Sequence, residues 1–243
     1  MPKGFHILTI THRQTNLNKI GSYVLQNVEG DETRISLEKL KAHFGFEELM
    51  YLATCNRVAY FFYTKQTLAT DFPKTFFQSI NPELTKEEIE NEVTHYEANA
   101  AIDHLFKVSS SIDSLVIGER EILRQLREAY QKSSEWDLTG DNIRLAMNAT
   151  VVAAKDVYAN TRIGEKPISV VSLSFEQLLK YNLPKDARIL MIGAGQTNAL
   201  VSKFLVKYDY TNVTVFNRTL EKAEVLAQKL DGQAFPISEL QTF

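Results

Sequence analysis

The segment LMYLATCNRVAYFFYT, residues 49–64, decides how the chain is read. Leu49 to Ala53 and Val58 to Thr64 are short apolar runs rich in β-formers, and the polar tetrad Thr54-Cys55-Asn56-Arg57 between them reads as the turn of a strand pair. Cys55 is the single cysteine in 243 residues, which excludes an intramolecular disulfide, and no Cys/His group has zinc-ligand spacing, so no metal is expected. A thiol at a strand end, with small polar neighbours and an arginine two residues on, has the exposure and positive surroundings that favour the nucleophilic thiolate. The opposite reading, Cys55 as a small buried hydrophobe, is the default for a lone cysteine and is weighed against what lies downstream.

Working outward, Phe5 to Ile10 reads as a first strand running into the polar cluster Thr11-His12-Arg13. Ser36 can cap a helix with Leu37, Leu40 and Phe44 on one face. Beyond the strand pair, Phe72 to Ile80 and Pro82 to Glu92 read as helices and Val93 to Tyr96 as a strand, with Asn99 as the cap of a helix facing inward through Ile102, Leu105 and Phe106. The order describes an α+β unit of split β-α-β type whose strand order is not readable. From Glu119 to Ser133 the stripe Ile122, Leu123, Leu126, Ala129 and Tyr130 predicts a helix with Arg120, Arg124 and Arg127 on another face, and Asp141 to Arg162 predicts a long one. Glycine and proline across Ile163-Gly164-Glu165-Lys166-Pro167 mark a break, so the domains are expected at 1–163 and 164–243 with a hinge at Gly164 to Pro167.

After a helix from Val170 to Lys180, Arg188 to Ile192 reads as a buried-type strand leading into Gly193-Ala194-Gly195-Gln196-Thr197-Asn198, a helix to Tyr208 and a strand Val213 to Phe216. This is a β-α-β start. Gly193 allows the tight turn and Gly195 lets backbone approach a pyrophosphate on the helix amino terminus, with Asn198 where a third glycine is usual. The next strand ends in Asn217-Arg218-Thr219 with no acidic residue for a ribose 2′-hydroxyl, and an arginine there suits a 2′-phosphate, so NADPH is favoured over NADH.

Composition agrees with a globular protein: hydrophobic residues are 44% and charged residues 23%, with no membrane-length apolar run and no signal-peptide pattern, so a cytoplasmic location is expected. A formal charge of −3 leaves nucleic-acid contact to a local basic face. Arg120, Arg124 and Arg127 are interleaved with Glu121 and Glu128, which reads as an ion-paired helix side.

Thr54-Cys55-Asn56-Arg57, the block from His104 to Val108, the block from Asp113 through Ser114 to Gly118 and Glu119, Gln125 and Gly193-Ala194-Gly195, in this order and separation, resemble the glutamyl-tRNA reductase family. The resemblance runs from the first strand to the end of the chain. It implies a ferredoxin-like catalytic domain followed by a Rossmann-type domain. It also implies an enzyme that takes glutamate from glutamyl-tRNA as a thioester and reduces it with NADPH to glutamate-1-semialdehyde, the first step of tetrapyrrole synthesis. Carried over residue by residue, Cys55 is the nucleophile, and His104 supports activity by moving a proton or orienting substrate. Arg57 grips the glutamate carboxylate. Thr54, Asn56, Ser114, Glu119 and Gln125, with Arg120 and Glu121 in the same block, bind substrate, and Glu119 would receive the ammonium group. Further expectations are hand-over to glutamate-1-semialdehyde aminotransferase and a homodimer made through a carboxyl-terminal helical segment beyond residue 243. As given, the chain reads as truncated, keeping the thiol site but binding NADPH poorly; submicromolar NADPH affinity in titration calorimetry would contradict this.

The sequence departs from the family pattern at Ala59, where an acidic residue is common, at Ser111, where glycine is, and at Glu121, where glutamine is. Two alternatives stay open: a shikimate-type NADP-dependent dehydrogenase with a structural cysteine, and a non-catalytic tRNA- or nucleotide-binding fragment.

Overall fold

The computed structural model describes residues 3–25, 31–164 and 170–242. Two units divide after Pro167. The residues 165–169 expected to break the chain and form a hinge lie outside the described ones.

In the first unit β1 (Phe5–Thr11), β2 (Glu48–Ala53), β3 (Arg57–Tyr63) and β4 (Thr94–Glu97) form one antiparallel sheet in the order β2-β3-β1-β4. Alternation along each strand sends residues to two faces. Leu8, Ile10, Val58, Tyr60 and Phe62 pack with Leu37 and Leu40 of α2 (Asp31–Phe44), Phe72, Phe76 and Phe77 of α3 (Phe72–Ile80) and Ile89 of α4 (Lys86–Glu92). Ile7, Met50, Leu52 and Phe61 point the other way, against Leu105 and Val108 of α5 (Asn99–Ser109), Ile122 and Leu126 of α6 (Glu121–Glu135) and Ile143 and Met147 of α7 (Asp141–Asn160). Both faces are therefore apolar, which is why the strands read as nearly continuous hydrophobic runs. A single-turn α1 (Leu17–Ile20), capped by the Asn16 side chain, follows β1.

Some helix starts differ from the sequence reading. Ser36 lies inside α2, which already begins at Asp31 with Asp31 and Glu32 in its first turn, where carboxylates suit the helix dipole. α4 starts after Thr85 rather than at Pro82, because Thr85 and Glu88 form a reciprocal capping box. Ala98, at φ 51°, precedes α5 in place of Asn99.

Glu48 ties the sheet to α7. Its buried carboxylate accepts hydrogen bonds from the backbone N–H groups of Gly140 (2.8 Å), Asn142 (2.9 Å) and Ile143 (2.7 Å), donors that a helix amino terminus leaves unpaired. Charge-assisted bonds are worth about 1.5–3 kcal/mol each, and the removal of one acceptor strands several donors. Glu48→Ala is expected to cost about 3 kcal/mol or more in urea unfolding; a loss below about 1 kcal/mol would refute the capping role.

In the second unit β5 (Ile189–Ile192), β6 (Val213–Asn217) and β7 (Gln233–Pro236) form a parallel sheet in that order. Phe175 of α8 (Val170–Lys180), Leu205 of α9 (Gln196–Lys207) and Ala223, Leu226 and Ala227 of α10 (Leu220–Gln228) pack with Met191, Val213 and Val215. The expectation of a buried strand at 188–192 is corrected here. Among the described residues β5 lies at the edge of the sheet; Met191 is buried, whereas Leu190 (48%) and Ile192 (57%), on its other face, are exposed.

Candidate active site

The β2–β3 turn presents Cys55 at the surface, with the thiol exposed and free. Thr54 fixes the turn: its backbone N–H donates to Arg57 O (2.8 Å) and its hydroxyl to Asn56 Oδ1 (3.1 Å). His12 N–H donates to Asn56 O (3.1 Å), joining the turn to the end of β1. Among the described residues, His12 Nδ1 is the buried side-chain polar atom with no hydrogen bond.

Arg57, one residue into β3, alternates to the face covered by α5 and is buried. Its Nη1 donates to His104 Nε2 (3.2 Å), and its Nη2 to Asp113 Oδ2 (3.0 Å) and to the Asp113 carbonyl. Asp113 Oδ1 is bound in turn by Arg13 Nη1 at 2.7 Å. One carboxylate is thus gripped by two guanidinium groups, one buried and one half exposed. Because arginine only donates, His104 Nε2 accepts, which leaves the ring proton on Nδ1, 3.8 Å from Asp113 Oδ2 and beyond hydrogen-bond reach. The His104 ring stacks on Tyr96 with centroids 4.2 Å apart.

Burial, followed by the Arg57 charge, pushes His104 down to about 4. Burial alone would raise the Asp113 carboxyl, but Arg57, with His104 and Arg13, holds it below the ordinary value. The sign for stability follows. Between pH 6.5, the usual histidine value, and about 4, the unfolded chain binds a proton at residue 104 that the folded chain refuses, so stability present above pH 6.5 is lost as pH falls through this window. The urea midpoint is expected to fall from pH 7 to 4.5, and less steeply in His104→Gln; parallel slopes would contradict the neutral buried ring.

Asp103, His104, Lys107, Ile112 and Asp113, together with Thr9, Thr11 and Arg13 of the β1 end, Gln14 and Tyr96, line an open cleft of about 260 Å³. Cys55 is not among its lining residues, so the thiol and the arginine cluster are linked through the strand ends. Two of the cleft's charges, Asp113 and Arg13, were not assigned a role from sequence. Arg13 belongs to the polar end of the first strand and Asp113 opens the Ser114–Glu119 block, but nothing local says that they meet.

That block is a tight loop. Ser111 has φ 58°, the left-handed conformation that explains why glycine is usual there, and its hydroxyl donates to Val116 O (3.2 Å). Gly118, at φ 87°, approaches the chain so closely that a Cβ would stand 2.1 Å from Ile163 O. Ala59, where an acid is common, packs partly buried against the α5–α7 core. Ser114 and Glu119 are half-buried, and burial, then Glu121, raises the Glu119 carboxyl above its ordinary value. Gln125 Nε2 donates to Glu121 Oε1 (3.5 Å). Glu121 is also bound by Arg124, which pairs with Glu128 as well, so this helix side is ion-paired as its sequence suggests. Arg120 lies over the Tyr158 ring at 5.2 Å. Among the described residues, the Arg57 side chain bonds to His104 and Asp113 and not to Ser114, Glu119, Arg120, Glu121 or Gln125.

In the second unit Gly193, at φ 96°, donates its N–H to Phe216 O at 2.6 Å. Ala194 N–H donates to Asn217 Oδ1 (3.1 Å), while Asn217 Nδ2 donates to Thr219 O (2.8 Å), so Asn217 braces the two strand-end turns. Asn198 Nδ2 donates to the carbonyls of Ile192 (2.9 Å) and Gly193 (2.7 Å). Gly195 caps α9 beside Gln196 and Thr197, and a Cβ on it would meet no atom within 4 Å, so packing inside the protein does not demand glycine there. Arg218 is exposed, with no acidic partner among the described residues.

A surface thiol at a strand turn and a buried arginine holding a carboxylate in an antiparallel unit, with a parallel unit opened by a glycine turn, describe a mixed α and β protein of two units. Residues 8–161 match the family model described as glutamyl-tRNAGlu reductase, N-terminal domain, and residues 177–243 match that of shikimate / quinate 5-dehydrogenase. The chain belongs to the glutamyl-tRNA reductase family. It is 31% identical over 220 residues to the glutamyl-tRNA reductase of Thermodesulfovibrio yellowstonii, covering 85% of this chain and 50% of that one. It is 30% identical over 241 residues to that of Bacillus cereus, covering 97% and 52%. The solved glutamyl-tRNA reductase from Methanopyrus kandleri superposes with a TM-score of 0.62 at 27% identity, over 98% of this chain and 55% of that one. The chain spans about half the length of the curated relatives it matches. Among the described residues no helix is long and apolar enough to cross a membrane.

Proposed function

We propose that this chain carries the acyl-transfer site of an NADPH-dependent, cytoplasmic glutamyl-tRNA reductase, which converts glutamyl-tRNA to glutamate-1-semialdehyde. In this reading residues 1–163 are a split β-α-β catalytic domain and residues 164–243 belong to an NADP-binding domain. The observation that carries it is an exposed Cys55 two residues from an arginine whose buried fork already holds a carboxylate. Arg57 is shaped for an acidic side chain, and the Asp113 carboxylate occupies the position that the substrate's side-chain carboxylate takes by exchange, with Arg13 as the second grip.

Cys55 Sγ attacks the carbonyl carbon of the aminoacyl ester, the ester C–O bond breaks, and the tRNA hydroxyl departs with the thiol's proton, leaving glutamate as a thioester. His104 orients Arg57 through Nε2 and is a positioning residue, because its lone pair is spent within the cluster. Thr54 and Asn56 set the turn, and Ser114, Glu119, Arg120, Glu121 and Gln125 line the approach to the amino group. NADPH, when bound, supplies the hydride that reduces the acyl group. Gly193, Ala194, Gly195, Gln196, Thr197 and Asn198 would take its pyrophosphate, supported by the open space before Gly195, and Asn217, Arg218 and Thr219 its 2′-phosphate, supported by an exposed Arg218 with no acidic partner among the described residues. The aldehyde product is reactive, which suits direct hand-over to the aminotransferase that consumes it.

Intact-mass measurement after mixing the protein with glutamyl-tRNA in the absence of NADPH is expected to reveal one glutamyl adduct, mapped to Cys55 and released by hydroxylamine. An adduct elsewhere, or none with charged tRNA, would reject the assignment.

A further inference from the structure

The same two strands that frame the cleft carry a second group of side chains on their opposite face. His6 of β1 alternates in phase with Leu8 and Ile10, toward α3, and its ring stacks on Phe62 with centroids 5.2 Å apart. β4 pairs antiparallel with β1 so that His6 stands opposite Glu97, with His95 two residues along the same face. His6 Nδ1 and His95 Nε2 are 3.1 Å apart. Glu97 Oε1 lies 3.9 Å from His6 Nδ1 and 3.5 Å from His95 Nδ1. One ligand atom from each of the three residues falls within 4.8 Å of the others.

We propose that His6, His95 and Glu97 bind a divalent transition-metal ion of the zinc type, with water completing its coordination. Nothing in the reductase reading uses this group, and the inference stands apart from it. Two imidazole nitrogens on a tetrahedral ion, each about 2.0–2.1 Å from it, stand roughly 3.3 Å apart. The observed 3.1 Å between the two rings is close to that chord, so the nitrogen pair is already set. His6 is clamped by its stack on Phe62, and His95 lies near Phe72 with centroids 6.3 Å apart, so neither ring has far to move. Glu97 is 60% exposed and free to swing in as the third ligand. Without the ion the two rings share one N–H···N hydrogen bond; binding requires the donor ring to move its proton to its other nitrogen. Two nitrogen ligands and one carboxylate oxygen favour zinc over the all-oxygen shells of calcium and magnesium.

The exposed thiol of Cys55 is itself a zinc ligand, so the test uses the full chain with Cys55→Ser. Titration calorimetry with Zn²⁺ is expected to give one saturable site, and thermal melting with Zn²⁺ present a raised Tm, as for any ion bound only by the folded state. His95→Ala and Glu97→Gln, introduced separately on that background, are each expected to weaken binding about tenfold or more. Glu97→Gln changes an exposed side chain and is the variant that preserves the fold, to be checked by an unchanged urea midpoint without metal. Absence of saturable Zn²⁺ binding in the Cys55→Ser protein, or an affinity unchanged in both ligand variants, would overturn the proposal.

Discussion

Under the proposed function, Cys55→Ser is expected to abolish the transfer of glutamate from tRNA to protein while the fold and its thermal stability stay as they were. The side chain is exposed and makes no hydrogen bond in the turn, so the exchange of sulfur for oxygen changes stability by no more than about 0.5 kcal/mol. A serine hydroxyl is a far weaker nucleophile than a thiolate at neutral pH, and the His104 Nε2 lone pair is already taken by Arg57. The measurement is the protein-bound label after incubation with radiolabelled glutamyl-tRNA. Persistent labelling of the serine variant would move the nucleophile elsewhere and restore the competing picture of a dehydrogenase with a structural cysteine. That picture is already strained, since the shikimate-type match stops at the second unit, whereas the reductase model covers the unit that holds the thiol.

Arg57→Lys is expected to lower the proposed transfer rate by about 10²–10³-fold and to erase a preference for glutamyl- over glutaminyl-tRNA. Lysine keeps the charge but has no planar fork, so it cannot donate to His104 and Asp113 together. Breaking a buried pair of this kind costs about 3–5 kcal/mol, and about 1.4 kcal/mol corresponds to a factor of ten. The rate ratio between the two aminoacyl-tRNAs separates recognition from general damage. A slow variant that still prefers the acidic substrate to the wild-type extent would mean that Arg57 serves the fold and does not read the side chain.

Much of this was legible from sequence where the signal is local. Residues 49–64 announce two strands and a turn because apolar β-formers stop at Thr54 and resume at Val58, and the glycine turn at Gly193 follows a strand and opens a helix as expected. The partners of Arg57 were not legible. Asp113 stands 56 positions away in a loop, and Arg13 lies just beyond the carboxyl end of β1; the pairing of Thr11 with Arg57 brings that end to Arg57. The same holds for His6 and His95, separated by 89 positions and joined by the β1–β4 register. Burial of Leu190 and Ile192 was misjudged for the complementary reason: an apolar run states what a strand prefers to touch, not which neighbours cover it.

The two-sided covering of the first sheet bears on how the chain is made. Its four strands are complete at Glu97, yet Ile7, Met50, Leu52 and Phe61 are sheltered by helices that leave the ribosome only afterwards, and Glu48 must wait for Gly140 to Ile143. For the seconds needed to synthesise that interval, a greasy sheet surface and a charged group lacking its donors face water. Nascent chains stalled before α5 should therefore bind holdase chaperones, and those extended past α7 should be released from them.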